Sequence, residues 1–118
     1  MEFDWTQGAL AEGLKHYQTG EFFAAHESWE ILWLVAQEPE KMFLQALIQV
    51  TAAFHHLQRD NALGAARLFE RALVRLERYP PTFGSISVAL LREDILAWLQ
   101  ALKMGAPSPP FGAVRIHA

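Results

Sequence analysis

The sequence predicts an all-α fold, a compact array of about five helices, on three observations. Apolar residues recur at a spacing of three or four over most of the 118 residues, as one face of a helix requires. Residues that commonly begin or end helices, among them Gly20, Asn61 and Ser87, stand where that spacing is interrupted. The nearest competitor for a strand, residues 86–91, continues to Leu102 with helical spacing. We therefore expect helices and no strand.

Each predicted helix is bounded by a residue that suits a helix end. Asp4 is the expected N-cap of the first helix and Gly20 ends it, while Asn61 and Ser87 should cap the fourth and fifth. Pro39 suits the first turn of the third helix. A Pro-Pro pair ends the fourth helix and precedes an ordered loop or linker. The five predicted helices span residues 5–19, 21–37, 39–59, 62–79 and 88–103.

The short connections between helices predict the topology. One or two residues around Gly20 and Asn61 force antiparallel helical hairpins. Each hairpin carries a small residue on its second helix, Ala25 or Ala65, which makes the pair weakly tetratricopeptide-like. The third helix is apolar on nearly every side and should be buried at the centre. We expect one domain, residues 1–118, with an extended proline-rich tail at 104–118 in which Phe111 is the candidate for packing.

Composition restricts the classes of function open to the chain. It contains no cysteine, which excludes disulfides, thiolate metal sites and a cysteine nucleophile. The net charge of −3 offers no general attraction to nucleic acid or to an anionic membrane. The apolar runs are interrupted well before the roughly 18 residues that a membrane span requires. We expect a soluble, cytoplasmic protein with no nucleic-acid partner and no membrane partner.

The main candidate for chemistry is a polar strip on the second helix, where His26, Glu27 and Glu30 lie among aromatic and aliphatic residues. Three interpretations stay open. His26 and Glu30 could share a divalent metal, with Glu27 in the position of the general base of a hydrolytic H-E-x-x-H site. The same His–Glu pair could perform acid/base chemistry without a metal. In the third interpretation a core histidine hydrogen-bonds a carboxylate and stabilises helix packing.

A second polar line follows the buried third helix. Gln45 and Gln49 are four residues apart and His56 continues the line, although each buried amide needs several partners. This line could face the strip on the second helix and form one internal cluster, or it could reach solvent at a groove. His55 and His56 diverge by about 100°, so at most one of them belongs to any one site.

A third pattern is a stripe of arginines on the fourth helix, with glutamates interleaved. The glutamates favour a solvated face with ion pairs along the helix over a phosphate-binding face. The chain has no phosphate-binding loop, dinucleotide fingerprint or nucleophile elbow, so no reaction is indicated. The four arginines of the stripe, out of ten basic residues in the chain, are Arg67, Arg71, Arg75 and Arg78.

Four blocks of sequence resemble a known family. They are GEFFAAHESWE at 20–30, FLQALIQV at 43–50, HHL at 55–57 and NALGA at 61–65. In order and spacing, over about residues 10 to 102, they resemble domain-of-unknown-function family 309, small helical proteins with an A-H-E-x-x-E motif. The resemblance implies a compact array of about five helices and a structural turn at Asn61, Gly64 and Ala65. It implies no established activity. Ala46 departs from the family, where glycine is common at that position.

Two classes of function follow. The first, which we favour, is a structural or protein-interaction module that holds a protein partner or a second copy of itself as a homodimer. In that class the His/Glu/Gln cluster is an internal network. The second is a metal- or small-ligand-binding protein, hydrolytic in one version. Its candidate metal ligands are His26, Glu30 and His56.

Overall fold

Five helices account for most of the chain in a computed structural model, which describes residues 3–109. They pack in an array about 39 Å long, and the all-α prediction is confirmed. The tail prediction around Phe111 falls outside the described residues, and 105–109 form no regular element. Within residues 3–109 no helix is both long and apolar enough to cross a membrane. The helices are α1 (Gly8–Gln18), α2 (Phe22–Val35), α3 (Glu40–Gln58), α4 (Ala62–Leu76) and α5 (Val88–Met104).

Each helix packs mainly on its neighbours in the sequence, α1 on α2, α2 on α3, α3 on α4 and α4 on α5. Helix α3 is the central element, as its all-round apolar pattern predicts, with ten buried residues. At its middle the Phe54 ring lies 5.1 to 6.2 Å from four other rings. They come from α1, α2, α4 and α5, and they are Tyr17, Phe22, Phe69 and Trp98. One aromatic cluster therefore joins both hairpins and the last helix.

The predicted helix ends are confirmed where a local signal determines them. Gly20 follows the end of α1 with φ +79°, the left-handed conformation that glycine adopts without strain. The Asn61 Oδ1 accepts a 3.0 Å hydrogen bond from the Gly64 N–H and caps α4. The Ser87 hydroxyl caps α5 by accepting from the Leu90 N–H at 3.3 Å. These bonds satisfy backbone donors that a helix start leaves unpaired.

The start of α1 differs from the prediction. Asp4 is not the N-cap, because its carboxylate accepts hydrogen bonds from the Thr6 N–H and hydroxyl and from the Gln7 amide. The helix begins only at Gly8, with Gln7 at the cap position and no side-chain capping bond. Trp5, predicted to be helical, is instead buried and donates from Nε1 to the Gly84 carbonyl at 2.8 Å.

A short β-hairpin follows α4, and the expectation of no strand is wrong at this point. Strand β1 (Thr82–Phe83) pairs antiparallel with β2 (Ile86–Ser87) across a turn whose two residues both have positive φ. The Phe3 ring packs against this turn and against Phe83, with ring centroids 6.0 Å apart. A strand of two residues is too short to show a period of two in the sequence, so the spacing of apolar residues did not predict this hairpin.

Candidate functional site

The polar strip of α2 lies on the surface of the protein. His26 Nδ1 is 3.5 Å from Glu30 Oε2 across one turn of the helix, and their side chains are 31% and 48% exposed. The two atoms are close enough for an ion pair, but the Nδ1 atom makes no hydrogen bond within residues 3–109. Glu27, one turn from Phe23, is exposed as well. The A-H-E-x-x-E segment therefore buries Ala25 and directs both glutamates outward.

Apolar side chains share that outer face of α2. Leu34 and Ile31 lie near Glu27 and Glu30 on the helix surface, because residues three and four apart are neighbours there. Helix α2 turns Phe22, Ala25 and Trp29 into the core, so that within residues 3–109 much of the opposite side is exposed. The large apolar side chains left exposed on α2 are Phe23 (56%), Ile31 (63%), Leu34 (65%) and Val35 (76%). We name this surface, with Glu27 and Glu30, the α2 outer face.

A small pocket of about 130 Å³ opens beside the α2 outer face, and we name it the histidine pocket. His26, His55 and His56 line it with Phe23 and Ala52. The Phe23 ring lies 5.5 Å from the His55 ring and 6.3 Å from that of His26. Burial lowers the pKa of His55 below its ordinary 6.5, and the nearby Arg59, His56 and His26 lower it further. Three predicted site residues are thus brought together.

The predicted structural turn lies between α3 and α4, where it contacts His56. The Asn61 side-chain nitrogen lies 3.0 Å from His56 Nδ1, a bond in which a neutral His56 accepts. One ring nitrogen of His56 is thereby used to hold the turn. Ala65, next in the predicted turn motif, is fully buried. Among residues 3–109 there is no group of three or more His, Asp or Glu side chains that could hold a metal ion.

The buried glutamine of α3 bonds α4 and not His26. Gln49 accepts a hydrogen bond at 3.1 Å from Arg75 Nε of α4. Gln45 is half-buried. The geometry therefore divides the residues expected in one internal cluster between a histidine pocket and an α3–α4 contact.

Two features were missed by the sequence reasoning. One is the exposure of the apolar residues of α2. The signal was available, because apolar residues occur on most sides of α2 whereas its main packing partners are only α1 and α3. The other is the Gln49–Arg75 bond, which joins a buried amide to the arginine stripe. No local pattern reports that contact, because it depends on the rotation of α4 about its own axis.

Fold and sequence together define a class, the small helical proteins built from two antiparallel hairpins. The chain belongs to the family described as domain of unknown function 309, whose model matches residues 10–68, half of the chain. It is also similar to an uncharacterised protein of Aquifex aeolicus (strain VF5), with 28% identity over 99 residues. The match covers 83% of this chain and 30% of that relative, so the chain spans less than a third of the relative's length.

Proposed function

We propose that this chain is a protein-interaction module of the cytoplasm whose docking surface is the α2 outer face. One observation carries the proposal: four large apolar side chains stay exposed on a single helix, each by more than half of its surface. Isolated exposed apolar residues are ordinary on protein surfaces, but a contiguous apolar patch with a polar rim is typical of a binding site. Burial of such side chains against a partner would supply the free energy of association.

The charges on the face specify the partner's chemistry. Glu27 and Glu30 stand among the apolar side chains, and within the described part of the chain no lysine or arginine is in salt-bridge contact with either carboxylate. A partner of complementary potential places lysine or arginine opposite these carboxylates and apolar side chains opposite Ile31 and Leu34. An amphipathic helix with an apolar stripe edged by basic residues meets both requirements.

The proposal is tested with two synthetic helices of matched length, one of leucine and lysine and one of leucine and glutamate. The protein should bind the basic helix more tightly than the acidic one, as measured by fluorescence anisotropy. Reversal of both charges, Glu27→Lys with Glu30→Lys, should invert that preference. The matched control, Glu77→Lys with Glu93→Lys, changes the net charge equally at exposed positions away from α2 and should keep the original preference.

The apolar part of the surface is tested separately. Leu34→Asp should weaken binding of the basic helix by about tenfold, the loss expected for removal of one buried leucine contact. Leu63→Asp is the matched control, because Leu63 on α4 is exposed to the same 65%. Equal losses in both variants, or a wild-type protein that does not distinguish the two helices, would contradict the proposal. If the protein forms a homodimer and Leu34→Asp dissociates it, the partner of the α2 outer face is a second copy of the chain.

A second candidate function is small-ligand binding at the histidine pocket, favoured by the three imidazoles that line it. The pocket is smaller than the 300 Å³ or so of typical organic-ligand sites, and among residues 3–109 no three side chains are placed to hold a metal ion, so it suits a very small molecule or anion. Titration with acetate, followed through the histidine ring signals in NMR, tests this function. Saturable shifts that His26→Ala abolishes would support it, and unshifted rings would reject it.

A further inference from the structure

The outer side of the α3–α4 hairpin carries a groove of about 460 Å³ that no step of the proposed function uses. Four arginines line it, three from α4 and Arg78 just beyond its end, together with the apolar side chains of Met42 of α3 and Val74 of α4. We name it the arginine groove. The arginines are those of the sequence stripe, Arg67, Arg71, Arg75 and Arg78.

Two arginines of the groove, Arg75 and Arg78, contact residues of α3, and among the described residues no arginine of the groove is paired with a carboxylate. The one acidic residue of the groove, Glu70, has its Oε1 atom 3.3 Å from Lys103 Nζ of α5. The buried Gln49 orients Arg75, and the Arg78 Nη1 lies 3.8 Å from the Met42 sulfur. The ion pairs expected along this face are therefore missing, and a row of cations faces solvent.

The spacing of the row specifies the shape of an anionic ligand. Arg67, Arg71 and Arg75 follow one another at a spacing of four, about 6 Å apart along the axis of α4, and Arg78 follows three residues later, beyond the end of the helix. Alternate side chains of an extended peptide are about 6.6 Å apart and point to the same side. Acidic residues at every second position would each meet a guanidinium, and planar guanidinium groups bind carboxylates through two hydrogen bonds.

A nucleic acid fits the groove less well. Single-stranded nucleic acids bind on aromatic side chains that stack with the bases, and the groove has an aliphatic and a thioether side chain instead. The chain as a whole carries a net charge of −3, which repels a long polyanion. A short acidic peptide segment brings little charge beyond the groove and can place apolar side chains over Val74.

We infer that the arginine groove is a binding site for an extended acidic segment of a partner protein. It lies on the second hairpin, it is opposite in charge to the α2 outer face, and it does not depend on the function proposed for that face. The module would then hold two partner segments of opposite charge, one on each hairpin.

The probe is an extended peptide of alternating glutamate and valine, about eight residues long so as to span the row. Isothermal titration calorimetry at low salt should show saturable binding that weakens as salt is added. A lysine–valine peptide of the same length should not bind. Arg67→Gln with Arg71→Gln should lower the affinity by about tenfold or more, because two charge-assisted contacts are lost.

The matched control removes the same charge elsewhere, through Lys15→Gln with Arg59→Gln, two exposed positions outside the groove. Compared at about 0.1 M salt, it should leave the affinity within about twofold, since exposed charges separated by more than the Debye length of about 10 Å are then screened. Equal losses in control and groove variants would overturn the inference, as would failure of the acidic peptide to bind. Tighter binding of an oligothymidylate of matched length would also overturn it, in favour of a nucleic-acid site.

Failure here is distinguishable from failure of the proposed function. The substitutions at Glu27 and Glu30 should leave binding of the acidic peptide unchanged, and those at Arg67 and Arg71 should leave binding of the basic helix unchanged. Arg67 and Arg71 are exposed, so their variants should also keep the thermal unfolding midpoint of the wild-type protein.

Discussion

The two hairpins are alike inside and different outside. Both turn through a three-residue connection, 19–21 and 59–61, where one or two residues were expected, and both place a fully buried alanine on the second helix, Ala25 in one and Ala65 in the other. On the outside, α2 exposes apolar residues and two glutamates, whereas α4 exposes arginines around a groove. The shared inner faces account for the fold, and the outer faces are free to acquire opposite chemistry.

The difference teaches where to search for function in a fold of this kind. Inner positions are restricted by packing, because close-packed cores respond to a change of a single methylene group. Outer positions such as Ile31 and Leu34 of α2 and Arg67 and Arg71 of α4 are exposed, so core packing does not require an apolar or strongly charged residue there. The predictions that follow test how far the hairpins are equivalent inside and how far they differ.

The largest effect is expected at Phe54, whose ring contacts aromatic rings of both hairpins. Phe54→Ala should lower the free energy of unfolding by about 3–5 kcal/mol, since it removes a fully buried ring at the centre of the core. Urea unfolding followed by far-UV circular dichroism and by tryptophan fluorescence measures it. Both signals should change in one transition. Two separate transitions would show that the hairpins unfold independently.

The next effect separates the hairpins by how closely their helices approach. A Cβ atom on Gly13 would lie 2.1 Å from the Trp29 indole nitrogen, inside the buried α1–α2 contact. Gly13→Ala should therefore destabilise the protein by about 1–3 kcal/mol through overpacking.

Gly64→Ala is the matched substitution in the second hairpin. Its Cβ would lie 2.6 Å from the exposed Asn61 side chain, which can move. Helix propensity favours alanine by about 1 kcal/mol and offsets the strained cap, so a change within about 1 kcal/mol is expected. Thermal unfolding of the pair measures the contrast, and equal midpoints would refute it.

A smaller effect concerns the turn of the second hairpin alone. Asn61→Ala removes the cap of α4 and the bond to His56, at a cost of about 1 kcal/mol. Asn61→Asp keeps an accepting oxygen for the Gly64 N–H and should retain most of the stability. The denaturation midpoints of the two variants check this, and an aspartate variant as unstable as the alanine variant would exclude the cap as the cause.

The smallest effect is a pH dependence confined to the side of the protein where α2 meets α3. The folded-state pKa of His55 is below 6.5, so the unfolded chain binds more protons between that pKa and 6.5. This contribution to stability is full above pH 6.5 and is lost as the pH falls through the folded-state pKa. Arginines of the groove stay charged throughout.

The titration is measured by NMR of the histidine rings and by unfolding at several pH values. His55→Gln should remove part of the loss of stability between pH 7 and pH 5, the range in which histidines titrate. A His55 pKa at or above 6.5 would contradict the prediction.

Those parts of the fold that depend on local signals could be predicted from the sequence. The caps at Asn61 and Ser87 and the glycine after α1 act within one turn of the chain, so residue type alone reports them. The burial of α3 was predictable because its apolar residues occupy every side. Asp4 misled because the same carboxylate can cap a helix or bond the residues two and three positions further on, here Thr6 and Gln7.

The candidate site was less predictable, because a helical pattern does not say which face its neighbours cover. Glu30 was expected in a polar strip that could be a site or a core network, yet the structure leaves it exposed on the outer side of α2. Gln49 was expected to meet the histidines, but the rotation of α4 brings Arg75 to it instead. Which face is covered and which side chains meet depend on how all the helices pack together, and the residue spacing within one helix does not report it.

The bond from Trp5 to Gly84 joins residues 79 positions apart, in a chain whose helices otherwise pack on their immediate neighbours. Contacts between sequence neighbours close small loops at low entropic cost and form early, whereas this one requires most of the chain to be in place. The contact between Trp5 and Gly84 should therefore form late in folding, after the helices have packed. Trp5→Phe, which keeps the ring packing and removes the bond, should accelerate unfolding while leaving the rate of folding almost unchanged.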